Sequence, residues 1–152
     1  MVDAGEKVVV FIHQKEIANR ILEKYPKAVS VRGDDDTESR QKSVDNFQKN
    51  PAAQIIVCSI KAAGVGITLT ASSRVAFIEL PWHPADIEQC EDRCHRIGQK
   101  DSVQVTYFLG AETIDEDIYK IIKSKREVSN VITGTNESIQ TEFINKMRNL
   151  FN

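Results

Sequence analysis

The chain has 152 residues, 41% of them hydrophobic and 28% charged, with a formal net charge of −2 at pH 7. This length suits one domain with a sizeable core, the composition is ordinary for a soluble globular protein, and no apolar run approaches the length of a membrane span. The near-neutral charge neither supports nor excludes a nucleic-acid partner, because phosphate binding needs a local basic patch and not a basic total.

Short apolar runs alternate with helical patterns along the chain. The first run begins at Lys7, which suggests a piece of a longer protein, and no signal peptide is visible before it. The predicted strands, rich in apolar and often β-branched residues, cover 7–13, 28–31, 53–60, 73–80 and 103–110. The predicted helices cover 14–25, 85–97, 113–132 and 136–151, with Thr113 as the cap of the third. A further helix is predicted to begin at a cap, Asp36 or Thr37, with Val44 and Phe47 facing inward.

This alternation of strands and helices predicts a parallel sheet covered by helices on both faces. Ligand sites in such sheets lie at the carboxyl ends of the strands, in the loops that lead to the next helix. The candidate loops are therefore those that follow His13, Val31, Cys58 and Leu80.

Two glycine-rich phosphate-binding patterns are missing from the sequence. No G-x-x-x-x-G-K-[ST] is present, so no loop of the chain can cradle a triphosphate by itself. GVGITL (64–69) has Leu69 where G-x-G-x-x-G requires its last glycine. The acids of IDED (114–117) fall in the first turn of a predicted helix, where the helix dipole favours them without any metal.

The cysteines argue against both a disulfide framework and a metal centre. Their odd number, three, favours a reducing compartment. Zinc at Cys90, Cys94 and His95 would need further ligands, for which only Cys58 and two distant histidines remain. We therefore expect no metal site.

The predicted helix 85–97 carries two neighbouring stripes. Gln89, Arg93 and Arg96 share one stripe at positions i, i+4 and i+7. The other stripe is apolar and consists of Ile87, Cys90, Cys94 and Ile97. The polar stripe is either a solvated charged face or a phosphate-binding edge, since arginine offers a rigid fork suited to phosphate oxygens. The spacing alone leaves both interpretations open.

Longer strings of the sequence resemble a known family. VCSIKAAGVGITLTASSRVAFIELPWHPADIEQCEDRCHRIGQ (57–99) resembles motifs V and VI of the Swi/Snf-type DNA-translocating ATPases of helicase superfamily two. Their pattern is S/T-x-x-A-G-x-G-L-N-L-T, an acidic residue before a Trp-Asn-Pro turn, and Q-x-x-x-R-x-H-R-I-G-Q. KVVVFIHQKEIANRIL (7–22) resembles motif IV, and VRGDDDTESRQKSVDNFQ (31–48) resembles the G-x-(S/T)-x-x-x-R-x-x-x-(I/V)-x-x-F element after it. TIDEDIYKIIKSK (113–125) is similar to the helix after the lobe, so the resemblance covers about residues 7–130.

The sequence departs from the family pattern at three positions. Thr68 stands where many members have Asn, Glu79 replaces the common Asp, and His83 replaces Asn in the Trp-Asn-Pro turn. The forms GITLTASS and EL-W-P look most like the subgroup that includes the annealing helicases, which rewind DNA and remodel forks.

The resemblance implies the second RecA-like lobe of a two-lobe motor. The expected fold is a three-layer α/β/α domain with a mostly parallel sheet over 1–133, followed by a helical extension or linker over 134–152. In this family ATP with Mg²⁺ lies between the lobes and is held mainly by the first lobe, which this sequence lacks. Arg96 matches the arginine finger, Arg93 its companion near the phosphates, and Gln89 the residue that orients that network.

Other positions match the family's nucleotide and DNA contacts. The backbone at Gly64 and Gly66 comes close to nucleotide, and Glu79 lies near the same cleft. The matches to positions that touch the DNA backbone are His13, Gln14, Arg32, Gly33, Ser59, Lys61 and Trp82. Burial at the strand–helix junction is an equal alternative for Trp82.

The expected function is that of a motor lobe of an ATP-dependent DNA translocase or remodeller, inactive as an isolated chain. Its expected partners are the backbone of double-stranded DNA and the N-terminal lobe of the same protein, with no membrane, and the fragment is expected to be monomeric. The expected location is nuclear in a eukaryote and cytoplasmic, with the nucleoid, in a prokaryote. The alternative is a non-catalytic nucleic-acid- or protein-binding module that retains the fold.

Overall fold

The computed structural model describes residues 5–81 and 83–129 of the chain. Its strands are β1 (Val8–Ile12), β2 (Val29–Val31), β3 (Ile55–Ser59), β4 (Arg74–Phe77) and β5 (Gln104–Tyr107). Its helices are α1 (Lys15–Lys24), α2 (Thr37–Lys49), α3 (Ile60–Ala63), α4 (Pro84–Glu91) and α5 (Ile114–Ser129). The five strands are all parallel and lie in the order β2-β3-β1-β4-β5, so the predicted parallel α/β fold is confirmed.

The chain divides into two compact units, Met1–Leu109 and Gly110–Asn152. The first unit contains the whole sheet and α1 to α4. In the second, Oγ1 of Thr113 accepts a hydrogen bond from the N–H of Asp115 at 3.3 Å, so Thr113 caps α5 as predicted. The helix predicted over 136–151 lies outside the described residues, and the boundary predicted at 133 remains a prediction.

Both faces of the sheet are covered because parallel crossovers are right-handed. The connection from β1 to β2, which contains α1, runs in one direction across the sheet. The connections from β2 to β3 and from β4 to β5, which contain α2 and α4, run in the opposite direction. Right-handed crossovers therefore place α1 on one face and α2 and α4 on the other. The face under α1 is aliphatic and includes Val8, Val10, Ile12, Ile55, Val57 and Ala76, packed with Ile17, Ala18 and Ile21 of α1.

An aromatic row crosses the opposite face. The rings of Phe11 and Phe77 stack with centroids 5.2 Å apart, and those of Phe77 and Tyr107 with centroids 5.3 Å apart. These residues are in register on β1, β4 and β5, and Cys58 of β3 continues the row beside Phe11. Within the described residues no helix is both long and apolar enough to span a membrane.

The predicted helix 85–97 is wrong in its second half, because α4 ends at Glu91. The next turns include two tighter bonds, from the N–H of Arg93 to the carbonyl of Cys90 (3.2 Å) and from the N–H of Cys94 to the carbonyl of Glu91 (2.9 Å). The carbonyl of Glu91 also accepts from the N–H of His95 (3.1 Å), the last bond of helical span. The carbonyl of Arg93 accepts a hydrogen bond from the N–H of Leu69 at 2.9 Å, which diverts it from the helix. Ile97 is consequently fully exposed, whereas the sequence placed it in the apolar stripe with Cys90 and Cys94, which are indeed buried.

Strands β3 and β4 are also shorter than predicted. The run 53–60 stops at Ser59, whose Oγ accepts a hydrogen bond from the N–H of Ala62 (3.2 Å) and so begins α3. The run 73–80 stops at Phe77. Apolar composition continues past both ends, but the backbone turns away from the sheet there. Both strand ends lie at the carboxyl edge, where the candidate loops gather.

Candidate functional site

The loop after α3 packs against α4 and the turns that follow it, and this contact assembles five of the predicted site residues: Gly64, Gly66, Gln89, Arg93 and Arg96. We call this group the arginine cluster. Nη1 of Arg96 lies 3.1 Å from Oγ1 of Thr68 and 3.4 Å from the carbonyl oxygen of Gly66, and it donates to both. The guanidinium is exposed while its direction is set by two acceptors on the neighbouring loop.

The two arginines of the cluster differ in burial. Arg93 is only 8% exposed, and its Nε donates to the carbonyl oxygen of Gln89 at 3.2 Å. Its own carbonyl receives the N–H of Leu69, so Arg93 fastens the turns after α4 to the loop after β3. Arg96 therefore presents the more exposed guanidinium of the two.

Two glycines shape the loop that faces these arginines. Gly66 has a φ of +77°, a left-handed conformation that glycine adopts without a steric penalty. Gly64 has an ordinary φ of −63°, and a Cβ there would lie 3.6 Å from Oε1 of Gln89 and 3.5 Å from the carbonyl oxygen of Lys61. The predicted glycine and arginine residues are thus neighbours in space.

Glu79 makes its hydrogen bonds elsewhere. Its Oε2 accepts the backbone N–H groups of His13 (2.7 Å) and Gln14 (2.8 Å), at the turn that opens α1. The sequence grouped Glu79 with the nucleotide-contacting positions; in the structure its carboxylate joins the loop after β4 to the loop after β1. Gln14 takes part through its backbone.

A second feature of the carboxyl edge is a cleft of about 420 Å³ that we call the β-edge cleft. Five of the seven predicted DNA-contacting residues line it: His13, Arg32, Gly33, Ser59 and Lys61. They come from the ends of β1, β2 and β3, which are adjacent in the sheet. Of the other two, Gln14 does not line the cleft and Trp82 lies outside the described residues.

Cations and hydrogen-bond donors dominate the polar lining of the β-edge cleft. Lys61 is exposed and has no acceptor among the described residues, whereas Lys15 pairs with Asp34 at 2.7 Å. The hydrogen bond from Lys15 lowers the pKa of the Asp34 carboxyl, which keeps that side chain ionised. The hydroxyl of Ser59 accepts from the N–H of Ala62, and its own hydrogen can still be donated.

The loop after β2 is held in shape by several residues that the sequence did not single out. Oδ2 of Asp35 accepts the N–H of Arg32 at 2.6 Å, and Oδ1 of Asn19 accepts from Nη2 of the same arginine at 2.7 Å. Nη2 of Arg40 donates to the carbonyl oxygen of Asp35 at 2.9 Å. Arg40 is the arginine of the G-x-(S/T)-x-x-x-R element, so a signal for it was present in the sequence.

Two further residues that the sequence analysis missed, Gln48 and Gln99, hold the loop between α3 and β4 through its backbone. Nε2 of Gln99 donates to the carbonyl oxygens of Ser72 (2.7 Å) and Cys94 (3.3 Å). Gln48 of α2 accepts the N–H of Ala71 at 2.8 Å. Gln99 is the last residue of the RIGQ string, which gives that glutamine a structural role.

The three cysteines are buried thiols. Burial raises the pKa of Cys90 and of Cys94 to about 12, and raises that of Cys58 well above its usual value. All three are therefore neutral at physiological pH and pack as small apolar side chains. In the part of the chain that the structure describes, no group of three His, Cys, Asp or Glu side chains is placed to hold a metal ion.

Comparisons with known proteins find similar chains. The family model of the helicase conserved C-terminal domain matches residues 1–98. Human DNA annealing helicase and endonuclease ZRANB3 is 36% identical over 141 residues, which is 90% of this chain and 13% of that protein. The Caenorhabditis elegans homologue of SWI/SNF-related matrix-associated actin-dependent regulator of chromatin subfamily A-like protein 1 is 37% identical over 150 residues, 96% of this chain and 21% of that protein.

A solved structure has the same fold. The crystal structure of the C-terminal part of the Fun30 ATPase domain superposes with a TM-score of 0.72 at 30% identity, covering 78% of this chain and 39% of that chain. The RecA-like lobe expected from the resemblance is thereby confirmed. The chain spans only a small part of the curated relatives, 13% and 21% of the two compared above.

Proposed function

Because this chain belongs to the helicase C-terminal domain family, in its Swi/Snf group, we propose that it is the second motor lobe of an ATP-dependent DNA translocase. The observation that carries the proposal is the arrangement of the carboxyl edge. One part of that edge presents the Arg96 guanidinium beside a glycine loop, and another part is a cleft lined by five residues at family DNA positions. One lobe would thus offer both a phosphate-directed group and a DNA track.

The donor set of the arginine cluster fits the phosphates of a nucleotide. When bound, ATP with Mg²⁺ supplies the phosphoryl group, and the residues that hold the metal are proposed to lie mainly on the first lobe. Arg96 would then direct its guanidinium at the oxygens on which charge develops, which in phosphoryl transfer is worth about 10³–10⁵ in rate. Arg93 would be its companion near the phosphates, and Gln89 would orient the network.

An arginine that arrives from a separate lobe makes hydrolysis depend on lobe closure. Two acceptors hold Arg96, at Thr68 and Gly66, so little side-chain freedom would be lost when the cleft closes. This preorganisation supports the role of Arg96 as the finger. We propose the first lobe of the same protein as the partner of this surface.

The β-edge cleft would bind the backbone of one DNA strand. Lys61, Ser59 and the backbone at Gly33 supply a cation, a hydroxyl and a close backbone approach, which suit phosphate oxygens and carry little sequence information. We propose that the lobe is monomeric and acts wherever its DNA is, in the nucleus of a eukaryote or with the nucleoid of a prokaryote. The name of the ZRANB3 relative makes annealing of DNA the proposed subgroup activity.

The experiment compares the isolated chain with a protein in which its own first lobe is present. ATP hydrolysis is measured with and without duplex DNA. The isolated chain should not hydrolyse ATP, and the two-lobe protein should show DNA-stimulated hydrolysis. A two-lobe protein that binds DNA without hydrolysing ATP would contradict the proposal and favour the non-catalytic binding module.

A further inference from the structure

Glu79 joins two loops that the proposed function assigns to different ligands. It lies two residues beyond β4, on the segment that leads toward α4. Its Oε2 receives two backbone N–H groups, from His13 at 2.7 Å and from Gln14 at 2.8 Å. Gln14 is the N-cap residue of α1, and its backbone N–H is one of the groups that the start of a helix leaves without a helical acceptor. The carboxylate of Glu79 supplies that acceptor.

The sheet itself places this carboxylate beside the turn after β1. Strands β1 and β4 are adjacent and parallel, and their pairing continues to the edge through the N–H of Ile78, which donates to the carbonyl of Phe11 at 3.1 Å. Because Phe11 pairs with Phe77, the same register continued by two residues sets His13 beside Glu79. A glutamate in this position reaches the two N–H groups without disturbing the ladder.

We propose that Glu79 is a positioning residue, which holds the β1–α1 turn in the shape that presents His13 to the β-edge cleft. This inference rests on the proposed function of that cleft as a DNA track. A carboxylate near a phosphate track repels DNA, so its charge does not explain its presence there. Its two hydrogen bonds to backbone N–H groups explain its presence by the shape of the β1–α1 turn that they hold.

Three substitutions separate shape from charge. Glu79→Gln and Glu79→Ala both remove the negative charge, but only glutamine keeps a carbonyl oxygen at the same reach to accept both N–H groups. Glu79→Asp keeps the charge but is one methylene shorter. Each variant of the full 152-residue chain is tested by amide hydrogen exchange at His13 and Gln14 and by its affinity for a short DNA duplex at fixed salt.

The proposal predicts that a variant behaves normally only if its side chain has an oxygen that reaches the two N–H groups. Glu79→Gln should keep the exchange rates and the DNA affinity of the parent chain within about threefold, whereas Glu79→Ala should exchange about tenfold faster at the two amides and bind DNA about fivefold to tenfold more weakly. Glu79→Asp should resemble Glu79→Ala. If the alanine variant does not fold, the opposite behaviour of the glutamine and aspartate variants still decides the matter.

Other outcomes overturn the proposal. An order set by charge, with aspartate normal and glutamine impaired, would show that the negative charge of Glu79, and not the reach of its oxygen, matters at this turn. Tighter DNA binding by Glu79→Ala would show that the carboxylate competes with a phosphate for the two N–H groups. If the parent chain binds no DNA at all, the proposed track fails, and amide exchange still reports separately whether Glu79 fixes the turn.

Discussion

Arg96 donates a hydrogen bond from Nη1 to Oγ1 of Thr68, 3.1 Å away across 28 residues of sequence. Thr68 stands where many members of the family have asparagine, and both side chains offer an oxygen acceptor at that place. The departure from the family pattern therefore keeps an oxygen acceptor for the guanidinium at this position. This bond links the glycine loop to the turns after α4 and ties the two halves of the arginine cluster together.

Replacing Arg96 should abolish DNA-stimulated ATP hydrolysis in the two-lobe protein. Arg96→Ala should lower kcat by about 10³-fold or more, since a positioned guanidinium contributes at least that much to phosphoryl transfer. Arg96→Lys should recover little, because an ammonium lacks the planar fork. Arg20→Ala, an exposed arginine on α1 that pairs with Glu16, serves as the control. Full hydrolysis by Arg96→Ala would contradict the finger assignment.

Gly66→Ala should destabilise the fold more than Gly64→Ala. Gly66 has a φ of +77°, and placing a Cβ there costs about 1–2 kcal/mol even though nothing lies within contact distance of it. Gly64 has a φ of −63°, and its added Cβ would make only ordinary contacts. The free energy of unfolding in urea measures the difference. Equal losses in the two variants would show that the positive φ is not what selects glycine at 66.

Lys61→Ala should weaken DNA binding uniformly across sequences and reduce the slope of log affinity against log salt by about 1, because one phosphate contact is lost. Lys27→Ala is the control, since Lys27 lies beside Ala28 and Ile55 at the opposite, amino edge of the sheet. A salt slope that is unchanged in Lys61→Ala would place the DNA outside the β-edge cleft.

Stability should fall as the pH rises from about 9 to about 12. Burial raises the pKa of Cys90 and Cys94 from 9.0 to about 12, so both thiols stay protonated in the fold at a pH where the unfolded chain has ionised them. The unfolded state then binds fewer protons, and the free energy of unfolding decreases with pH. Urea unfolding over this range, compared with Cys90→Ala, measures the effect. The variant should show a shallower decline, and an identical decline would contradict the contribution of this thiol.

Much of the fold was accessible from the sequence because its signals are local. Runs such as Val8–Ile12 and Ile55–Ser59 are β-branched and flanked by helical periodicity, which predicts buried parallel strands whatever the rest of the chain does. The cap at Asp36 was accessible for the same reason, since its side chain bonds the N–H of Ser39 three residues away. Periodicity failed after Glu91, where long-range bonds to the loop after β3 compete with the helix.

The sequence by itself determined the fold class and the family, and it predicted the residues that form the arginine cluster, because these depend on residue types and on spacing along one element or string. Only the tertiary structure decided which of these side chains are buried, which are exposed and which contact one another. It buried Arg93, exposed Ile97 and turned the carboxylate of Glu79 toward His13, through hydrogen bonds between segments distant in the chain. Such bonds follow from the strand order and register of the sheet, which no local pattern encodes.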